Sequence, residues 1–229
     1  MIDKETEKIL WRDAIIVFDN CALGNIYSLA SDAQQTFIDI LSLIKDRVWI
    51  PKQVQNEYDR HHEKFLHDTY KDQYALFEKM MIQGEEYDKA LKDIVDLIAD
   101  DTFHPYFSKD ACDQVKESYD KISEARKNVD SIVRHQKDAR REEIKKMAEE
   151  DKLNTLLLSL EHGEGFRINE LAAIVNEGIA RYEGKIPPGY MDARDKEGID
   201  KYGDLIIWKE ILRHAKRNKK PIILISDDV

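Results

Sequence analysis

The sequence predicts an α/β fold built on a parallel sheet, and three features carry that prediction. Three apolar, β-branched runs, Ala14–Phe18 (AIIVF), Val48–Ile50 (VWI) and Pro221–Ser226 (PIILIS), have the unbroken hydrophobicity of strands buried on both faces. Amphipathic segments follow or precede each of them. Between the second and third runs lies a long, highly charged stretch with helical spacing throughout.

In chain order, the first run ends abruptly in Asp19-Asn20-Cys21. Ser31 to Lys45 then places Phe37, Ile40, Leu41 and Ile44 at steps of three and four, which predicts a helix. Pro51 closes the second run and suits the first turn of another helix, bearing Val54, Glu57 and Tyr58. The charged stretch includes Asp110 to Glu150, about 60 Å long as one helix. Val115, Tyr119, Ile122, Val129 and Val133 fall near a heptad seam there, so this helix is expected to pair with another. A second helix pair is expected at Lys152–Glu161 and Asn169–Glu183, separated by Gly163 and Gly165. Ile186 to Lys201 (IPPGYMDARDKEGIDK) reads as a loop, and Asp204 to Arg217 as a strongly amphipathic helix leading into the third run. The expected division is an α/β core of residues 1–60 plus 186–229 and a helical insertion of residues 61–185. An end directly after a core strand is expected of a fragment rather than a complete domain.

Composition narrows the function classes. With 229 residues and a 42% hydrophobic content, the chain can bury a proper core. The formal net charge is −10, so nucleic acid would be held by local basic patches or by bound metal rather than by a basic surface. Cys21 and Cys112 lie far apart in unlike contexts and read as reduced thiols of a cytoplasmic protein. MIDKETEKIL lacks a signal-peptide core, and no apolar run approaches the roughly 18 residues of a membrane span.

In an open parallel sheet, functional groups gather at the carboxyl ends of the strands. Asp19 follows the first run and Asp227-Asp228 the last; Glu57 lies two turns into the helix after the second, and Asp204 starts the helix before the third. Each alone has a plain structural reading: Asp204 as a helix cap, Asp227-Asp228 as a turn, Glu57 as an exposed helix charge. Asp19 is harder to dismiss, because an acid sealing a buried strand needs a partner. Together, carboxylates in one cleft repel one another unless a cation joins them, and an oxygen-rich set of this kind suits Mg²⁺ or Mn²⁺.

The segments VFDNCALGNIY, RVWIPKQVQNEY, IPPGYMDARDKEGIDKYGDLIIWKEIL and PIILISDD resemble the PIN-like domain of bacterial proteins, with GDLIIWKEIL the most specific of them. The resemblance implies a Rossmann-like PIN fold with a central parallel sheet and a large helical insertion. It implies a hydrolase, a Mg²⁺- or Mn²⁺-dependent endonuclease acting more often on RNA than on DNA, hence an endoribonuclease. It carries Asp19, Glu57, Asp204 and Asp228 onto catalytic roles, and these with Asp227 onto metal binding. Two departures stand against it: the usual D-T-N appears as Asp19-Asn20-Cys21, and the chain stops at Val229.

Around this centre, Asn20, Tyr190, Asp192 and Arg194 are expected to border the cleft, with Tyr190 able to stack on a base. Lys209 and Arg213 are expected to meet a phosphate backbone, although the basic end of their helix also complements its dipole. His61, His62 and His67 read as a solvated helix face, because no further ligand completes a zinc-like spacing. A haloacid-dehalogenase-like phosphatase would need a second acid where Cys21 stands, and a receiver domain would lack the insertion. The rival from another class is a catalytically degenerate PIN-like scaffold that binds a protein partner, or a second copy of itself as a homo-oligomer, through the insertion.

Overall fold

The computed structural model describes residues 2–99, 107–191 and 196–227, without the side chains of residues 68–70 and 72–73. It is a mixed α/β molecule, mostly helical, with a small amount of parallel β structure. Its elements run α1 (Lys4–Asp13), β1 (Ile15–Phe18), α2 (Asn20–Ile26), α3 (Ser31–Leu43), β2 (Trp49–Ile50), α4 (Lys52–Ile98), α5 (Lys109–Glu149), α6 (Lys152–Leu158), β3 (Glu161–His162), α7 (Ile168–Glu183), α8 (Gly203–Asn218) and β4 (Ile222–Ile225). Single 3₁₀ turns at Lys45–Arg47 and Asp200–Tyr202 precede β2 and α8.

The chain forms two compact units: Met1–Leu66 with Asp151–Val229, and His67–Glu150. In the first unit, β1 and β4 pair parallel and in register from Ile15↔Ile222 to Phe18↔Ile225. β2 and β3 pair parallel as well, and a single parallel bridge, Ile16↔Val48, lies between the two pairs. All four β1 side chains are buried, as its unbroken apolar run requires of a strand covered on both faces. They pack with Leu23, Tyr27, Leu41, Val54, Leu153 and Ile211 from the surrounding helices. A smaller cluster, Ile174, Tyr202, Leu205 and Ile206, fastens α8 to α7.

Two elements depart from the sequence expectation. The helix expected to run to Glu161 stops at Leu158, and Glu161–His162 becomes β3. Its pairing with β2 is continued by Gly163 N donating to Ile50 O at 2.8 Å, so neighbouring backbone overrides local helical pattern. The segment before β1, which carries no strong sequence signal, is the helix α1, opened by Asp3 accepting from Glu5 N and Thr6 N.

Four side chains bind residues 27–62 of the first unit to the start of α6. Tyr27 Oη lies 2.5 Å from Tyr58 Oη and donates to Asp151 Oδ2 at 2.7 Å. His62 Nε2 meets the same Asp151 oxygen at 2.7 Å, while Asp151 Oδ1 caps α6 by accepting from Asn154 N at 2.8 Å. Burial pushes both tyrosine hydroxyls above their ordinary range, so they remain protonated donors.

In the second unit, the later part of α4 and the whole of α5 form an antiparallel helical hairpin. Arg126 bridges Asp88 at 3.1 Å and Asp130 at 2.6 Å, Arg134 meets Glu85 at 3.4 Å, and Lys137 pairs with Glu78. Rising numbers on α5 thus meet falling numbers on α4. The inner positions are Met81, Gly84, Asp88, Leu91, Val95 and Ile98 on α4, facing Val115, Tyr119, Ser123, Arg126, Asp130 and Val133 on α5. Two consecutive steps of four, Val115 to Tyr119 to Ser123, turn the seam past Ile122. Ile122 and Val129, expected on the inner seam, therefore stand exposed.

Candidate active site

β1 and β4 run in the same direction, so their carboxyl ends lie together, and this is where the acidic residues collect. Asp19 leaves β1 as the cap of α2: its Oδ1 accepts from Asn20 N at 2.6 Å, and its own N–H donates to Ile225 O of β4 at 2.9 Å. Ser226, just past β4, donates its hydroxyl to Asp19 Oδ2 at 2.9 Å. The side chain is therefore held from the start of α2 and from the end of β4, with its remaining lone pairs available for a ligand.

Asp204 sits in the first turn of α8, and Asp19 and Asp204 line one cleft of about 630 Å³. Pro187, Pro188, Gly189 and Tyr190 form one wall, and Trp208 and Leu224 also border it. Gly189 has φ +79°, and a Cβ there would fall 2.8 Å from Asp204 Oδ2. The glycine thus supplies both a left-handed turn and a close approach of loop backbone to the carboxylate.

Glu57 reaches the same neighbourhood from α4. Gln53 Nε2 donates to its Oε1 at 2.8 Å, one helical turn earlier. Burial raises the Glu57 carboxyl above its ordinary range; Gln53, Lys196 and Arg60 oppose that, and the negative charge of Asp19 adds to it. Asp19 is thus the shared neighbour of the other two acids. Among the described residues, no three His, Cys, Asp or Glu side chains are already close enough to form a metal cage.

The other sequence candidates are placed as follows. Asp227 accepts from Asn25 Nδ2 of α2, and Asp228 lies outside the described residues, as do Asp192 and Arg194. Asn20 is buried with Nδ2 3.5 Å from His61 Nδ1, and its Oδ1 has no hydrogen-bond partner among the described residues. Tyr190 lines the cleft. Lys209 and Arg213 do not line it: Lys209 pairs with Glu177 of α7 at 2.7 Å, and Arg213 lies over Phe166 and near Glu170. The sequence pattern did not point to Ser226 or Gln53, and it places Trp208 and Leu212 on the buried face of α8, whereas both are exposed and Trp208 lines the cleft. Ser226 was open to notice, because a hydroxyl between a buried strand and two acids has few other tasks.

Glu210, one turn beyond the cleft residue Ile207, is a buried acid with a different task. Its Oε2 accepts from Gln53 N at 3.2 Å in the first turn of α4, and burial raises its carboxyl above the ordinary range. It fixes the helix that carries Glu57 against the helix that carries Asp204.

A family model described as PIN like domain matches residues 15–229. The chain belongs to the PIN-like domain family. Members of that wider group generally include metal-dependent nucleases, and the matched span takes in both strands of the acidic edge and α8 of this PIN-like chain. Comparison with curated proteins and with solved structures found no match. Among the described residues, no helix is long and apolar enough to cross a membrane.

Proposed function

We propose that this PIN-like chain is a Mg²⁺- or Mn²⁺-dependent nuclease that hydrolyses phosphodiester bonds, with RNA as its substrate and a Rossmann-like arrangement of its strands. The observation that carries the reading is the cleft edge shared by Asp19 and Asp204, with Glu57 close enough to Asp19 to feel its charge. The donors suit a hard cation: carboxylate oxygens, plus the buried unpartnered Oδ1 of Asn20 one residue from Asp19. Mg²⁺ commonly uses only one or two carboxylates and keeps its waters, so a preformed three-acid cage is not required.

Asp19 and Asp204 would hold the cation, with Glu57 and either Asp227 or Asp228 completing the set. When bound, it would supply Lewis-acid polarisation of the phosphodiester and activation of water. Ser226 and the Asn20 N–H orient the Asp19 carboxylate, leaving its other lone pairs for binding. Glu57, with its affinity for a proton raised by burial, is suited to take a proton from attacking water. Tyr190 and Trp208 offer aromatic faces on which unpaired bases can stack, which favours a single strand over a duplex. Lys209 and Arg213 take no part in this reading, because α7 and the loop before it already engage them.

The test is incubation of the wild type and an Asp19→Asn/Asp204→Asn variant with labelled single-stranded RNA and DNA, in Mn²⁺ or in EDTA. The expected result is RNA cleavage that needs Mn²⁺ and disappears in the variant. A degenerate scaffold that binds a protein partner through the insertion is the second reading, favoured by Asp19-Asn20-Cys21 standing where D-T-N is usual. It is selected if calorimetry detects no Mn²⁺ binding and no substrate is cut.

A further inference from the structure

On each helix of the α4–α5 hairpin, the residue immediately before every inner position belongs to a second stripe. On α4 these residues include Met80, Tyr87, Ile94 and Leu97; on α5 they include Ile122, Val129 and Ile132. These seven are 47–64% exposed. From residue 80 to 97 on α4 and from 122 to 139 on α5, no position of this second stripe carries a charge, in a chain whose charged fraction is 36%. The residues immediately after the inner positions are the opposite, with Glu85, Lys92, Lys127 and Arg134 among them.

The Glu85–Arg134 pair shows where those following residues meet: on one edge of the hairpin. In an antiparallel helix pair, the residues preceding the inner positions then share the other edge, so the two uncharged stripes form one continuous face. That face is about 27 Å long and about 20 Å wide, from the rise and diameter of two helices. Burying it against an equal face removes on the order of 1,200 Å² from water in total, the lower end of a stable interface.

We propose that this face is the seat of a second copy of the same chain, the two hairpins closing as an antiparallel four-helix bundle. A face without charge offers nothing to a charged partner, whereas two-fold symmetry makes an apolar face its own complement. Gln83 and Gln136 fall at the level of the Glu85–Arg134 pair and are the polar members of the stripes there. In the closed bundle they hydrogen-bond to each other across the interface and fix its register. The proposal is independent of the nuclease reading, because it is tested by mass alone.

Sedimentation equilibrium of the full chain at micromolar concentration should give a dimer. Tyr87→Glu/Val129→Glu should give a monomer with undiminished helical circular dichroism, and Lys92→Glu on the charged edge should remain a dimer. If the glutamate variant loses helix, the milder Tyr87→Gln/Ile132→Gln variant should weaken the dimer at least tenfold while keeping its helix. A wild-type monomer overturns the proposal. So does a dimer that persists in both stripe variants, since its contact would then lie elsewhere.

Discussion

A methyl group placed on Gly203 would lie 2.7 Å from Glu57 Oε1, so the helices bearing Asp204 and Glu57 meet through a residue with no side chain. The glycine is in ordinary helical geometry, with φ −49°, so what it supplies here is space rather than conformational freedom. Alanine at 203 would displace the end of a flexible glutamate and leave the backbone in place. Gly203→Ala should therefore change the urea midpoint little while lowering nuclease rate roughly tenfold or more. Equal losses of stability and rate would show that the contact matters for packing alone.

Glu57 also sets a pH dependence. Its carboxyl is raised in the folded chain, so it is neutral in both states well below its ordinary value and contributes nothing there. As pH rises through the window between the ordinary and the raised value, the folded state loses stability relative to the unfolded one, and the full cost remains above it. Glu57→Gln should raise the metal-free melting temperature at neutral pH and flatten this decline, while abolishing cleavage. Thermal melts in EDTA from about pH 4 to pH 8 measure it directly.

A divalent cation should reverse that cost. Mn²⁺ in hundredfold excess over its dissociation constant stabilises a folded protein by about 2.7 kcal/mol. The wild type should melt higher in Mn²⁺ than in EDTA, and Asp19→Asn/Asp204→Asn should lose the difference. An equal shift in both proteins would locate the bound cation elsewhere.

Asp151 receives two side-chain contacts at one oxygen and a helix cap at the other. Its removal leaves the buried Tyr27 hydroxyl with Tyr58 alone and uncaps α6. Asp151→Ala should cost about 2–4 kcal/mol in urea unfolding, the sum of an unsatisfied buried donor and a lost cap. Asp151→Asn, which can still accept at both places, should cost less than half as much.

The sequence made both core strands visible as unbroken apolar runs, but only β1 is buried on both faces; β4, expected to be equally covered, is half-buried, with Leu224 exposed at the edge of the cleft. Asp19 was equally legible, since a carboxylate that closes a buried strand must meet something. β3 was not, because two residues of strand are decided by backbone partners on β2 rather than by their own side chains. The fate of Lys209 and Arg213 was hidden for a related reason. Their helix ends like any basic helix terminus, and only the packing of α7 reveals that Glu177 and Phe166 engage them. The hairpin seam was misplaced by one position because a four-residue step leaves no mark in the apolar pattern when its new member is a serine, Ser123.

The in-register pairing of Ile15 with Ile222 has a consequence for the chain during its synthesis. The hairpin of α4 and α5 can zip up from neighbouring segments as it leaves the ribosome, whereas β1 must wait for everything from Asp19 to Pro221 to be made before its partner strand exists. Until then Asp19 has no Ser226 beside it, and the cleft has no floor. The acidic edge therefore closes only once β4 has emerged and docked, and on the proposed nuclease reading a nascent chain stays inert toward its own messenger until then.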